Sequence, residues 1–263
     1  MKALFVAVAM AAAAPAFASG GATPFTFKPS TGNTASLQRG ARDFMAYCSG
    51  CHSLKYLRYN RIGKDLGIPD ELLKTNLMFT SDKLGEHILS SMPKASGDPS
   101  KPSEPEKWFG RAPPDLSLSA RERGPDWIYS YLMTFYLDPL RPTGVNNLML
   151  PGAAMPHVLG DLGGWQRAEF VETPVLEFGR PKRDDKGNVV TRKVFEKFEL
   201  VQPGSLSPAD YEERVGDLTN FLVYAAEPGR NRRMALGGPV LLFVVVFWIF
   251  AYLLKVEYWK DVH

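Results

Sequence analysis

The chain has 263 residues, of which 45% are hydrophobic, 22% charged and 12% aromatic. This length and composition fit one large folded domain or two modest ones, and they exclude a disordered, collagen-like or disulfide-stapled chain. The 31 basic and 28 acidic residues leave a net charge of +3, which gives no electrostatic reason to expect a nucleic-acid partner. Only two cysteines, Cys48 and Cys51, are present, so the chain has no further pair for a disulfide framework.

The N-terminus has the pattern of a secretory signal peptide. Residues 1–18 contain one lysine, an apolar run over residues 3–14 and the small-residue pattern A-F-A at residues 16–18, after which we expect cleavage. A first transmembrane helix is the alternative, but the apolar run is short for a span. A mitochondrial transit peptide would be rich in arginine and serine, and this segment is not. The sequence therefore predicts export in a bacterium.

The segment that follows is predicted to be an extended arm and then a helix. Residues 19–34 are rich in glycine, threonine, proline and serine, a composition typical of irregular structure. Residues 35–47 show helical spacing of their apolar side chains, with Leu37, Phe44 and Met45 on one face.

The middle of the chain is predicted to alternate loops and helices, with one hairpin. Residues 93–105 form a loop by composition, and residues 125–137 form a strongly apolar helix candidate with a proline near its start. Alternating runs over residues 172–201 flank the sequence D-D-K-G-N, which is typical of a hairpin turn. Residues 207–226 begin with S-P-A-D, a serine cap followed by proline at the first helical position. The head is thus predicted to be mostly helical with one small hairpin.

The C-terminal part contains a candidate membrane anchor. Residues 234–254 carry no charge, and as a helix they would span about 31 Å, close to the hydrocarbon thickness of a bilayer. A buried core helix is the alternative, but the continuous apolar run from Val240 leaves no polar face. Aromatic side chains that could form an interfacial belt are Trp248, Tyr252, Tyr258 and Trp259.

The orientation of this anchor is indicated by two conflicting signals. Arginines cluster before the span at residues 230–233, and lysines follow it within residues 255–263, which mildly favours a cytoplasmic N-terminal side. The signal peptide favours the reverse, and long domains are translocated largely regardless of such charges. We therefore expect residues 19–233 in the periplasm, with residues 255–263 as a short cytoplasmic tail.

The residues that carry chemistry are Cys48, Cys51 and His52, which fit C-x-x-C-H, the attachment pattern for c-type haem. Two thiols at this spacing can each form a thioether with one haem vinyl group, while the adjacent histidine reaches the iron. The alternatives are a redox dithiol and half of a zinc site. A thioredoxin-like pair would accompany a βαβ pattern, which is missing, and zinc would need further soft ligands. The sequence predicts one covalently attached haem c.

A second axial ligand to the iron decides between an electron carrier and a ligand-binding haem catalyst. Met155 is our candidate because it lies in P-G-A-A-M-P at residues 151–156, hereafter the methionine loop, a compact and rigid segment suited to holding a thioether. His157, two residues further on, is the serious competitor. Met92 precedes the loop at residues 93–105, which would anchor a ligand badly. His87 is most simply explained as an exposed or capping helix residue, and His263 lies beyond the anchor.

The chain resembles the cytochrome c1 family, the membrane-anchored haem subunits of the ubiquinol–cytochrome c oxidoreductase (cytochrome bc1) complex. Besides the haem motif and the single C-terminal anchor, four segments resemble that family in the right order. They are A-P-P-D-L-S at residues 112–117, the methionine loop, A-A-E-P at residues 225–228 and the basic run at residues 230–234. The resemblance implies a mainly α, cytochrome c-like haem domain with loop and hairpin insertions, plus one C-terminal transmembrane helix.

The resemblance also implies roles for individual residues. It makes Cys48 and Cys51 the thioether positions, His52 the proximal ligand and Met155 the distal ligand of the iron. Arg123 resembles a basic residue near a haem propionate, the alternative being a solvated charge at a helix end. Pro113 and Pro114 resemble residues that line the haem crevice, the alternative being ordinary loop rigidity. Trp127 stands where the family often has tyrosine.

The function implied is that of an electron-transfer subunit of the respiratory chain in the bacterial inner membrane. The Rieske iron–sulfur protein would donate the electron, and a soluble or membrane-bound cytochrome c would accept it. Cytochrome b would be a further partner, the complex would be a dimer, and this chain would have no substrate-converting site of its own. Alternatives are an anchored monohaem cytochrome of another oxidase or reductase, a haem enzyme such as a peroxidase, and an assembly factor.

A packing hypothesis follows from the paired terminal helices of cytochrome c folds. We expect the helix at residues 207–226 to cross the helix at residues 35–47 near Gly40 and Phe44. Gly40 would permit close approach, and Phe221 or Tyr224 would fill the contact.

Overall fold

The computed structural model describes residues 23–93, 102–177 and 179–261. The predicted signal peptide and His263 lie outside these ranges. Within them the chain forms nine helices, α1 (Thr34–Tyr47), α2 (Tyr59–Leu66), α3 (Asp70–Leu77), α4 (Glu104–Phe109), α5 (Ser119–Glu122), α6 (Pro125–Met133), α7 (Gly160–Gly163), α8 (Pro208–Ala226) and α9 (Arg230–Tyr258). The strands are β1 (Leu54–Arg58), β2 (His87–Ile88), β3 (Phe135–Leu137), β4 (Val145–Asn147), β5 (Trp165–Pro174), β6 (Leu176–Glu177), β7 (Arg180–Pro181) and β8 (Thr191–Gln202).

Helix α1 has the buried face and the C-terminal end that its sequence predicts, and it begins one residue earlier, at Thr34. The side chain of Asn33 caps it by accepting a hydrogen bond from the Ser36 amide, 3.2 Å away. Leu37, Phe44 and Met45 are all buried, as their helical spacing indicates. They belong to the main hydrophobic core of the domain.

The crossing of α1 and α8 confirms the packing hypothesis. A Cβ atom placed on Gly40 would overlap the Asp217 carbonyl oxygen and lie 2.7 Å from the Phe221 Cβ, so only glycine fits at this crossing. The rings of Phe44 and Phe221, both fully buried, are 5.7 Å apart beside it. An ion pair of 2.8 Å between Arg214 on α8 and the buried Asp43 on α1 joins the same two helices. The terminal helices therefore form the rigid centre of the domain.

The helix predicted over residues 125–137 is shorter in the structure, which corrects its C-terminal end. Helix α6 ends at Met133, and the next residues form β3, antiparallel to β4. Two side chains satisfy carbonyl groups of this last turn: Gln166 Nε2 donates to the Met133 and Phe135 oxygens, and Asn147 Nδ2 donates to the Tyr131 oxygen. With these tertiary bonds formed, the chain leaves the helix despite its continuous apolar pattern.

The predicted hairpin is present and is longer than expected. Strands β5 and β8 are antiparallel and begin their pairing at Trp165, earlier than the predicted start at residue 172. The D-D-K-G-N turn forms at residues 184–188, where the amide of Asp184 donates to the Asn188 carbonyl and Gly187 takes a φ of +86°. Two short antiparallel pairs elsewhere, β1 with β2 and β3 with β4, were not predicted.

Most of the predicted loop at residues 93–105 lies outside the described residues, and helix α4 replaces its C-terminal end. The helix begins at Glu104, with Ser103 as its cap and Pro105 within its first turn, so the loop ends before the predicted boundary. His87 also differs from its expected place, because it lies on strand β2 opposite Arg58 and not on a helix.

The C-terminal helices follow the predicted order. Ser207 caps α8 by accepting a hydrogen bond from the Asp210 amide, and Pro208 is its first residue. After Glu227, α9 runs from Arg230 to Tyr258, and its apolar window has a mean hydropathy of 2.4 with none of it buried. Among the helices in the described part of the chain, α9 is the one that is both long enough and apolar enough to cross a membrane.

Candidate functional site

The C-x-x-C-H sequence, hereafter the attachment motif, lies at the C-terminal end of α1. The amides of Cys51 and His52 both donate to the Cys48 carbonyl, at 3.0 and 2.8 Å, which closes the motif into a tight turn. The Ser49 hydroxyl donates to the Met45 carbonyl at 2.7 Å and ties this turn back onto the helix. The helix end thus presents two thiols and an imidazole from five consecutive residues.

The two thiols differ in exposure, and both have a raised pKa. Both are free, with Cys48 buried and Cys51 partly exposed. Burial, with smaller contributions from Asp43 and Cys51, raises the pKa of Cys48 to about 12, and burial also raises the pKa of Cys51. Thiol oxidoreductases instead depend on a lowered cysteine pKa. This electrostatic setting disfavours the redox dithiol considered from the sequence.

The His52 side chain is held in one orientation and one tautomer. Its Nδ1 donates a hydrogen bond of 2.7 Å to the Pro114 carbonyl, so Nε2 carries the free lone pair. Burial lowers the pKa of His52, and the bond to Pro114 offsets this only in part, which favours the neutral imidazole. A neutral imidazole with its second nitrogen oriented in this way is the form that binds a metal.

The segment of residues 112–117 therefore orients His52 through a backbone carbonyl. The Leu116 amide donates to the Ser53 carbonyl at 2.9 Å, and the Lys55 amide donates to the Asp115 carboxylate at 2.9 Å. These bonds fix the Pro114 carbonyl against His52. Sequence reasoning placed Pro113 and Pro114 beside the haem but missed this hydrogen bond, since a backbone acceptor leaves no mark in the residue type.

Met155 also has a specific partner. The Tyr131 hydroxyl donates to the Met155 sulfur over 3.6 Å, a contact between α6 and the methionine loop. Burial raises the pKa of Tyr131 to about 12, so the phenol remains a donor at any physiological pH. The Tyr131 ring is partly buried and stacks on Trp127, with centroids 5.0 Å apart and planes 10° apart.

The methionine loop is fixed by side chains that sequence reasoning missed. Asn146 Oδ1 accepts the Gly152 amide at 2.7 Å, and Arg141 donates to the Gly152 carbonyl at 2.9 Å. Asn147 is fully buried, and its Oδ1 accepts the amides of Met149 and Leu150 at 2.9 and 3.3 Å. The adjacent asparagines were a usable signal, because such side chains commonly bind nearby backbone amides in turns.

His157 is part of an aromatic cluster. Its ring stacks on Phe135, with centroids 5.0 Å and planes 8° apart, and Trp165 contacts it edge-on at 5.6 Å. Burial lowers its pKa to about 4, only partly offset by a hydrogen bond to the Gly164 backbone. With one ring face stacked on Phe135 and Trp165 against it edge-on, the partly buried His157 is accounted for by packing, which leaves Met155 as the stronger candidate ligand.

Arg123 lies at the exposed end of the aromatic row on α6. Its guanidinium is 5.1 Å from the centroid of the Trp127 ring, in cation–π geometry, and its Nε is 3.6 Å from the Glu122 carboxylate. Pro113 is partly exposed in the segment before Asp115. The structure thus places Arg123 in line with Trp127, Tyr131 and the methionine loop.

The site contacts fall into two groups that one helix holds together. The first group, the attachment motif and Pro114, lies at the end of α1. The second group is the contact between Met155 in the methionine loop and Tyr131 on α6. Helix α8 packs against both α1 and α6. A C-x-x-C-H turn, an oriented neutral histidine and a tethered methionine, on a helical domain with a C-terminal apolar helix, define a membrane-anchored c-type cytochrome.

Comparison with known proteins identifies the family. The sequence model of the Cytochrome C1 family matches residues 25–163 and 192–262, and the chain belongs to this family. Between the matched stretches lie residues 164–191, which include all of β5 and the outer part of the hairpin. Membership implies a haem electron carrier of the bc1 oxidoreductase complex with covalently bound haem c.

Each similarity described next extends over most of the relative's length and over most of this chain. Cytochrome c1 of Allochromatium vinosum is 50% identical over 229 residues, which are 87% of this chain and 85% of that protein. The ammonia monooxygenase gamma subunit of Nitrosomonas europaea is 41% identical over 228 residues, or 87% and 84%. Cytochrome c1 of Rhodospirillum rubrum is 26% identical over 247 residues, or 86% and 81%.

Proposed function

We propose that this chain accepts electrons from the Rieske iron–sulfur protein and passes them to a soluble or membrane-bound cytochrome c, within a respiratory bc1 complex. The observation that carries the proposal is the 2.7 Å hydrogen bond from His52 Nδ1 to the Pro114 carbonyl. It leaves Nε2 free to bind iron beside two unpaired thiols. Family membership supplies the electron-carrier role and the complex.

The donor set fits haem c. Cys48 and Cys51 provide two thioether positions, His52 Nε2 provides a neutral nitrogen, and the Met155 sulfur provides a soft, neutral sixth ligand. When bound, haem c supplies a one-electron couple between ferric and ferrous iron. A Met/His pair of axial ligands favours electron transfer over oxygen activation, because no coordination position stays open.

The chain's own residues would set the properties of this couple. The bond to Pro114 fixes the ring plane and tautomer of His52, and with haem bound the neutral sulfur of Met155 would favour reduced iron and so a higher reduction potential. Arg123 would place a positive charge near a haem propionate, and Pro113 would line the crevice. Cys48 and His52 are buried, which lowers the local dielectric constant around them.

The location of the domain follows from the two chain ends. We infer that the head, residues 19–233, lies in the periplasm of a bacterium and that α9 anchors it in the inner membrane. The signal-peptide pattern of residues 1–18 supports this orientation. Cytochrome b and the Rieske protein would contact this chain within a dimeric complex, as the family's role implies.

The test is purification of the tagged full-length protein from its native membranes in a mild detergent, with haem spectra and subunit identification. We expect b-type haem and an iron–sulfur subunit to co-purify with a covalently bound haem c. Co-purification with subunits of another oxidase or reductase would overturn the bc1 assignment. Absence of haem from this chain after denaturation would overturn the electron-carrier role as well.

A further inference from the structure

We propose that Tyr131 is a positioning residue that sets the reduction potential through a hydrogen bond from its hydroxyl to the Met155 sulfur. The inference rests on the proposed function, since it takes Met155 as the axial ligand. It concerns a side chain that the attachment motif and the methionine loop do not include. Its basis is the 3.6 Å contact between the phenol oxygen and the sulfur.

The Tyr131 ring has little freedom to move away from the sulfur. Trp127 stacks on it with planes 10° apart, and Phe135 contacts it edge-on with centroids 5.1 Å apart. Aromatic neighbours in these two geometries hold a ring by packing and by quadrupole attraction. The hydroxyl therefore points at Met155 because the ring is fixed, and removing the oxygen alone would leave the packing in place.

The same buried asparagine ties the donor and the acceptor segments together. Asn147 Nδ2 donates to the Tyr131 carbonyl at 2.7 Å, while Asn147 Oδ1 accepts amides of residues 149 and 150, just before the methionine loop. Motion of the loop relative to α6 would break these bonds in a buried place, at considerable cost. The distance between the phenol and the sulfur is thus set by the fold and not by an exposed side chain.

The chemical effect of this hydrogen bond has a definite sign. A donor on the sulfur withdraws electron density from the lone pairs that the thioether offers to iron. Ferric iron depends more on that donation than ferrous iron, so the hydrogen bond destabilises the oxidised state relative to the reduced state. The Tyr131 hydroxyl should therefore raise the reduction potential above the value that Met155 alone would give.

The test is the Tyr131→Phe variant in the full-length chain within its complex, measured by spectroelectrochemical titration. We expect the potential to fall, with the equilibrium constant for reduction decreasing about threefold to tenfold, where tenfold equals about 59 mV for one electron. The control is Tyr129→Phe, because the Tyr129 ring, on the same helix, packs on Phe25 and Phe27. An unchanged potential in Tyr131→Phe, or an equal fall in Tyr129→Phe, would overturn the inference.

A second substitution keeps the test independent of folding defects. Incorporation of 3-fluorotyrosine at position 131 nearly preserves the shape of the side chain and makes the phenol a stronger donor. We expect this change to raise the potential, opposite to Tyr131→Phe. A shift of the same sign in both proteins would contradict a hydrogen bond as the cause.

A third variant separates the inference from the function on which it rests. Met155→Ala should remove the long-wavelength absorption band that sulfur ligation gives ferric haem. If Met155→Ala retains that band, the proposed ligand set fails, and the inference fails with it. If Met155→Ala loses the band but Tyr131→Phe keeps the parent potential, the ligand set stands and the role of Tyr131 alone is wrong.

Discussion

On one side of the site, five consecutive residues at the end of α1 present both thiols and His52, whereas on the other side Met155 depends on side chains from several distant segments. The attachment motif needs one distant partner, the Pro114 carbonyl. The methionine loop needs Asn146, Asn147 and the Tyr131 hydroxyl. The proposed attachment of haem thus depends mainly on adjacent residues, whereas the position of Met155, the proposed sixth ligand, depends on the tertiary structure.

The largest effect on haem content is expected from a change in the attachment motif. Cys51→Ser removes one of the two thioether positions, on a partly exposed residue, so the fold should survive while haem that resists denaturation falls, because only Cys48 remains to hold it. The measurement is haem staining after denaturing electrophoresis. Gly50→Ala is the matched control, because a Cβ there meets no atom within 4 Å, and it should retain full attachment. Equal loss in both variants would show that the turn, and not the thiol, was disturbed.

The next largest effect is expected from the helix crossing that supports both parts. Gly40→Leu forces a side chain against the Asp217 backbone and should lower the free energy of unfolding by about 3 kcal/mol or more, as overpacking of a tight core does. Reduced haem incorporation should follow, which thermal unfolding and haem quantification would check. Gly32→Leu, in open space, should change neither quantity. Normal incorporation in Gly40→Leu would refute the crossing.

A change at the base of the methionine loop should affect sulfur ligation of the iron without affecting covalent attachment of the haem. Asn147→Leu leaves the Tyr131 carbonyl and the amides of residues 149 and 150 without their hydrogen-bond partner, at a cost of about 2–3 kcal/mol in folding free energy. We expect covalent haem to remain while the potential and the sulfur-ligation band fall. Asn76→Leu serves as control, since the Asn76 side chain is exposed and bonds only within α3. Loss of covalent haem in Asn147→Leu would contradict the division into two parts.

The smallest effect is expected from the outer hairpin. Residues 175–190 lie within the stretch that the family does not match, and their ion pair between Lys182 and Glu177 is half exposed. Surface pairs of this kind contribute about 0–1 kcal/mol. Replacing these residues by an Asn-Gly turn should therefore leave haem content and potential unchanged. A change in the potential would show that the hairpin influences the site after all.

Much of the scaffold could be predicted from the sequence because its signals are local. The serine cap of α8, the D-D-K-G-N turn and the uncharged stretch of α9 are each encoded by consecutive residues. The attachment motif is equally local, whereas the close approach at Gly40 was predicted from the paired terminal helices of cytochrome c folds. These features were all found in the structure.

The rest depends on contacts that no short segment contains. The end of α6 at Met133 is decided by Gln166 and Asn147, which lie well after it in the chain. The Pro114 carbonyl orients His52 without a distinctive side chain, and the Tyr131 hydroxyl reaches Met155 across 24 residues. Such pairs become visible only when the fold brings distant segments together.

Ligation of iron by His52 and Met155 can be tested by comparing the ferric absorption spectra of Met155→Ala and His157→Gln in the intact complex. We expect Met155→Ala to lose the long-wavelength band and to have a lower potential, whereas His157→Gln should keep the band. Covalent haem should remain in both, because the attachment motif is unchanged. A retained band in Met155→Ala, or its loss only in His157→Gln, would contradict the assignment of Met155 as the sixth ligand.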